Sequence, residues 1–119
     1  MIVKRYGNVP VQCLEDRQLR ALIDTTEGGL ARLSLAEETL QPGQYIPRHW
    51  HADHEEVYHI KAGRGCMQVA SESETVFAGD TVLVPVNAVH SLYNDGDDVL
   101  VLLCAVAPPW RADDHHLTG

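Results

Sequence analysis

Seven histidines occur in this chain of 119 residues, and four of them fall within "RHWHADHEEVYHIKAG", residues 48–63, beside two adjacent glutamates. In an extended strand, side chains at i and i+2 project to the same face about 7 Å apart along the backbone. His49 and His51 therefore aim both imidazoles at one point. Glu56 lies beyond the short polar turn "ADHE" and opens the run "EVYHIKAG", so its carboxylate can return along the neighbouring stretch. Two imidazoles and a carboxylate form the facial arrangement typical of non-haem iron, with open positions for substrate or oxygen. His90 is the candidate for a further donor, because it follows "VPVNAV" and enters the strand "HSLYN" directly after a tight turn. Each residue alone has a plainer reading. An HxH pair arises by chance in an acidic protein, a histidine at a strand start is more often hydrogen-bonded than ligating, and Glu55 with Glu56 alone would be a solvated turn.

The remaining polar residues sort by phase. His54 sits in the turn and is expected outside the site. His59 alternates out of step with Glu56, Tyr58 and Ile60, so it points away if Glu56 points inward, while Tyr58 and Ile60 line the pocket. The Tyr58 hydroxyl could donate to a bound substrate or oxygen species, and packing alone is an equal alternative. Cys66 and Gln68 share a face with the site in one of two registers a residue apart. His115 and His116 in "DDHH" are expected in a solvated terminus.

These residues must be positioned by strands. Between residues 30 and 107 the apolar residues come in short runs rich in Val, Leu and Ile, bounded by Gly, Pro, Asn and Asp, with turns recurring every eight to twelve residues or so. That is the cadence of an antiparallel sandwich or barrel, not of βαβ units. The expected fold is all-β, a barrel of two antiparallel sheets. Residues 14–29, "LEDRQLRALIDTTEGG", fit either a short helix or a strand with a hairpin turn, and the strand is favoured. The length fits one domain over 1–119, with a core barrel at about 30–107, an N-terminal strand segment at 1–29 and a polar tail at 108–119 expected to fray.

Composition excludes several classes of partner. A formal net charge of −8 with no basic stripe would repel a phosphate backbone, so nucleic acid is not expected. No apolar run reaches the roughly 18 residues of a membrane span, and the start, "MIVKRYGNVPVQ", does not read as a signal peptide. The expected location is cytoplasmic. Three cysteines, Cys13, Cys66 and Cys104, at wide spacing suit neither a disulfide framework nor a zinc knuckle and are expected as reduced core residues.

Two stretches together resemble the motifs of a known family. "GQYIPRHWHADHEEVYHIKAG", with Gly43, His49, His51, Glu56 and Gly63, is similar to the first cupin motif at every defining position. "GDTVLVPVNAVHSLYN", with Gly79, Pro85, His90 and Asn94, resembles the second, except that Asn87 stands where the family usually has glycine. Asparagine tolerates the left-handed conformation that glycine serves there, so the departure is mild. The resemblance implies a jelly-roll barrel, also described as a double-stranded β-helix, of the small single-domain type.

The resemblance also implies that His49, His51, Glu56 and His90 ligate one divalent metal ion, with Fe(II) favoured and Mn, Ni, Zn or Cu possible. Four N/O donors leave two positions of an octahedral ion open, which suits catalysis on a small-molecule substrate better than a closed structural site. Glu56 and Tyr58 are the expected catalytic residues. By analogy with small single-domain cupins, the expected activity is that of an iron- and oxygen-dependent dioxygenase. The alternatives are a metal-dependent isomerase, decarboxylase or lyase, a non-catalytic module that binds a sugar or carboxylate, and a barrel whose metal is incidental. A homodimer pairing through the N-terminal segment is expected on the same grounds.

Overall fold

The computed structural model describes residues 1–28 and 30–118. It contains two antiparallel sheets and, among the described residues, no α-helix. The strands are β1 (Gln12–Cys13), β2 (Gln18–Ile23), β3 (Ser34–Leu40), β4 (Tyr45–Trp50), β5 (Glu55–Ala62) and β6 (Arg64–Val69). They continue with β7 (Glu72–Phe77), β8 (Thr81–Val84), β9 (His90–Tyr93), β10 (Leu100–Ala107) and β11 (His116–Leu117). One sheet has the order β1-β2-β3-β10-β5-β8 and the other β11-β4-β9-β6-β7. The segment 14–29 that fitted helix or strand supplies β2, which pairs with β3. No helix among the described residues is long and apolar enough to cross a membrane.

Alternation along each strand builds both the core and the site. On β5, Ile60, Tyr58 and Glu56 are buried; on β10, Leu100, Leu102, Cys104 and Val106; on β9, Leu92 and His90. The registers put Leu102 opposite Ile60, Cys104 opposite Tyr58 and Val106 opposite Glu56, while Met67 faces Leu92 and Val69 faces His90. One end of the barrel is thus an aliphatic plug of Leu40, Ile60, Leu92, Leu100 and Leu102, all fully buried. Each such side chain contributes roughly 1.5–3 kcal/mol by leaving water. Two residues further along the same strands, the inward positions change to Tyr58, Glu56, His90 and Cys104. β4 reaches this end through an irregularity between Ile46 and His49, which lets residues three apart both point inward.

Turns hold these rows in phase. Gly63 has φ +80°, and a Cβ there would lie 2.4 Å from the Val99 carbonyl oxygen, so no side chain fits between β5 and β6. Asn87 has φ 66°, the left-handed conformation expected of it, and its N–H donates to the His51 carbonyl at 2.7 Å.

Three expectations change. Met67 is buried while Cys66 and Gln68 are only partly so, which settles the register of β6: Cys66 and Gln68 face away from the site. Of the cysteines only Cys104 is in the core; Cys13 is exposed and Cys66 half-buried, and all three are free thiols. The polar tail does not fray over residues 112–118. His116 and Leu117 pair with Trp50 and His49, and Asp114 is buried.

Candidate metal centre

His49, His51, Glu56 and His90 are all buried, and one potential donor atom from each lies within 4.8 Å of the others. The strands bring them together: His49 faces His90 across β4 and β9, and Glu56 is the second residue of β5. Each imidazole is locked from behind. His49 Nδ1 lies 2.7 Å from the Pro47 carbonyl, His51 Nδ1 2.5 Å from the Asp114 carbonyl, and His90 Nδ1 2.9 Å from the Ala88 carbonyl. A carbonyl only accepts, so the N–H is on Nδ1 in all three rings, and in the neutral form of each ring Nε2 carries the lone pair.

Those lone pairs face a carboxylate. Glu56 Oε1 lies 2.5 Å from His51 Nε2 and 3.6 Å from His90 Nε2, yet these three atoms are buried without a hydrogen-bond partner. Such atoms turned toward one another away from water are costly unless a cation sits among them, either a proton on His51 or a metal ion. Neutral imidazole and carboxylate donors suit a divalent first-row ion. The cluster could hold one such ion.

The surroundings tune the charges accordingly. Burial, with His90 nearby, pushes His49 down to about 3, so its ring is neutral at physiological pH. Burial would raise Glu56, but the adjoining His51, His90 and Cys104 hold it well below the usual carboxylate range. His51 is also disfavoured as a cation by burial, but Glu56 and the Asp114 backbone raise it above the ordinary value. The Cys104 thiol is pushed far up by burial and by Glu56. It therefore keeps its proton and donates to Glu56 Oε2 at 3.0 Å instead of competing as a thiolate ligand. Burial and Glu56 likewise keep the Tyr58 phenol protonated.

The tail completes the support. Asp114 accepts hydrogen bonds from the Ala52 and Asp53 N–H groups at 2.7 and 2.8 Å, fixing the turn after His51. Those two bonds hold the Asp114 carboxyl at about 2 against the opposing effect of burial. His115, expected in solvent, instead stacks on His49 with ring centroids 4.5 Å apart, and His116 stacks on Trp50. His54 is fully buried behind His51, centroids 5.0 Å apart, and stays outside the four-residue cluster as expected. His59 points away and meets Thr81 Oγ1 at 2.8 Å.

A cavity of about 390 Å³ opens beside the cluster. His49, His51 and Glu56 line it, as do Tyr58 and Cys104. Ile60, expected to line the pocket, belongs to the aliphatic plug instead. On the far side, Arg17 Nε donates to Glu38 Oε1 at 2.5 Å and Arg17 Nη1 to Asp16 Oδ1 at 2.6 Å. Burial raises Glu38 above the usual carboxylate range even with Arg17 opposing it.

A family model described as a cupin domain matches residues 36–106, more than half of the chain. The chain belongs to the cupin family. An uncharacterized protein of Methanocaldococcus jannaschii is 37% identical over 81 residues, which make up 68% of this cupin and 65% of that relative. Among solved structures, the polyketide cyclase RemF from Streptomyces resistomycificus superposes with a TM-score of 0.84 at 19% identity, covering 100% of this chain and 86% of that one. A predicted oxalate decarboxylase from Thermotoga maritima gives 0.82 at 20% identity, covering 90% and 99%. At such identities these two structures share the fold.

Several residues of this cupin's site escaped the motif reading. Cys104 and Glu38 were accessible in principle, since alternation forward from Leu102 and back from Leu40 places both inward. Arg17, Asp114, His115 and Trp110 had no local signal, because docking of the N-terminal segment and the tail brings them to the site.

Proposed function

We propose that this cupin is a mononuclear metalloenzyme in which His49, His51, Glu56 and His90 hold one divalent ion and a small-molecule substrate occupies the adjoining cavity. The observation that carries this reading is the asymmetry of the cluster: His49, His51 and Glu56 line the cavity, whereas His90 does not. Open positions on an ion held there would face the cavity and not the core. Such an ion supplies Lewis-acid polarisation of a substrate oxygen or, as Fe(II), oxygen chemistry. The protein's own part is to orient the three imidazoles through backbone carbonyls, to exclude water with the aliphatic plug, and to present the protonated Tyr58 hydroxyl as a donor to a substrate oxygen.

Iron-dependent dioxygenation and non-oxidative isomerisation, decarboxylation or elimination would use the same ligands, with Fe(II) first for the former and Mn, Ni, Zn or Cu for the latter. Turnover measured with and without oxygen decides the class: an equal anaerobic rate supports the non-oxidative reading, and strict oxygen uptake with turnover supports the dioxygenase. The reading includes a homodimer formed through the N-terminal segment, where Ile2, Val3 and Tyr6 are exposed. Light scattering at tens of micromolar protein is expected to give twice the chain mass.

A further inference from the structure

The segment matched to the family, residues 36–106, contains all four candidate donors, but much of the facing wall lies outside it. Leu14, Leu19 and Ile23 come from the N-terminal segment, Leu35 from the start of β3 and Trp110 from the tail, and all five line the cavity. The wall is therefore largely apolar. Among the described lining residues Arg17 is the one arginine or lysine. Its guanidinium is already shared between Glu38 and Asp16, two carboxylates against one cation. Diverting it to a substrate carboxylate would strand the buried Glu38 without its partner. The wall thus offers no uncommitted positive charge, and a small dianion would leave most of a 390 Å³ cavity unfilled.

Resting on the metalloenzyme reading above, we infer that the substrate has an apolar body of ring size or larger and presents a chelating pair of oxygens, as an enolisable 1,3-dicarbonyl or a catechol does, and that small dicarboxylates are excluded. The ion takes the oxygen pair. Leu19, Ile23 and Trp110 take the body, so specificity resides in the segments flanking the family core.

Three probes with a 1,3 oxygen pair separate the contributions: benzoylacetone carries an apolar ring, acetylacetone lacks it, and malonate replaces it with a second charge. Their affinities for the cobalt(II)-loaded protein are read by calorimetry and by the visible cobalt spectrum. Benzoylacetone is expected to bind about tenfold or more tighter than acetylacetone, with malonate weakest, the factor expected for burying one aromatic ring. Leu19→Glu and Ile23→Glu should remove that advantage while cobalt stoichiometry stays unchanged. Malonate binding as tightly as benzoylacetone, or full benzoylacetone affinity in both wall variants, overturns the inference. The metal-free protein tests the wall separately: it should still bind benzoylacetone, more weakly, and not malonate. If cobalt fails to bind but this preference remains, the metalloenzyme reading falls and the wall assignment stands.

Discussion

The donor cluster and the wall opposite it border one cavity but are built by different means. His49, Glu56 and His90 stand on β4, β5 and β9 and His51 directly follows β4, with a backbone carbonyl behind each imidazole. The wall is assembled from the N-terminal segment, the start of β3 and the tail, held by tertiary pairing and by Asp114. The N-terminal part of the wall touches the cluster only across the cavity, whereas the tail also supports it, through the Asp114 carbonyl behind His51 and the stacking of His115 on His49.

The strongest way to break that comparison is to remove the ion. Turnover should be lost completely on chelation while the far-ultraviolet spectrum stays that of a β protein. The melting temperature should fall, since a ligand present at about a thousand times its Kd stabilises by roughly 4 kcal/mol. Complete unfolding would mean that the cluster holds the fold together and is not carried by it.

A smaller effect tests the link between the two regions. Asp114→Ala removes the side-chain acceptor for the Ala52 and Asp53 N–H groups in the turn after His51 but keeps the backbone carbonyl behind the ring, so it should weaken metal affinity by less than the roughly tenfold cost of losing a direct partner of a metal ligand. Cobalt titration checks this. Unchanged affinity would mean that the Asp114 side chain does not support the donors.

At the turn before His90, Asn87→Gly should leave the melting temperature nearly unchanged. Asn87→Val should cost about 1–2 kcal/mol in a denaturant melt, because a β-branched residue resists a positive φ.

The smallest effect contrasts neighbouring carboxylates on the two faces of β3. Glu37 lies on the outer face, bonded to Lys61 and Tyr6; burial would raise it, but those bonds hold it below 4.5. Its stabilisation is present above pH 4.5 and is lost as pH falls through its folded value. Glu38 faces the cavity and is raised by burial. Its contribution is present below pH 4.5 and is lost as pH rises through its folded value. Glu37→Gln should therefore blunt acid destabilisation and Glu38→Gln should not, as melting temperatures across pH 3 to 7 would record. Titration of both carboxylates on the same side of 4.5 by NMR would contradict the assignment of faces.

The same division sets how much could be read from sequence. "HWH", Glu56 and His90 lie in short stretches whose turns and alternation are local, and the two-sheet architecture followed from the cadence of strands. The choice between helix and strand at 14–29 was open because its apolar spacing suits both; pairing with β3 decided it. His115 looked solvated because only docking of the tail brings it against His49. Arg17 likewise reaches Glu38 only through the pairing of β2 with β3. The phase of Cys66 and Gln68 turned on a single residue of register, which the pairing of Met67 with Leu92 resolves.

The central claim is that one ion sits on four particular residues. Cobalt(II) stoichiometry, measured by absorption titration in matched alanine variants, tests it most directly. His49→Ala, His51→Ala and His90→Ala should each lose the one-equivalent endpoint, while His54→Ala and His59→Ala keep it although His54 is equally buried. A full equivalent of tightly bound cobalt in both His51→Ala and His90→Ala would contradict the account.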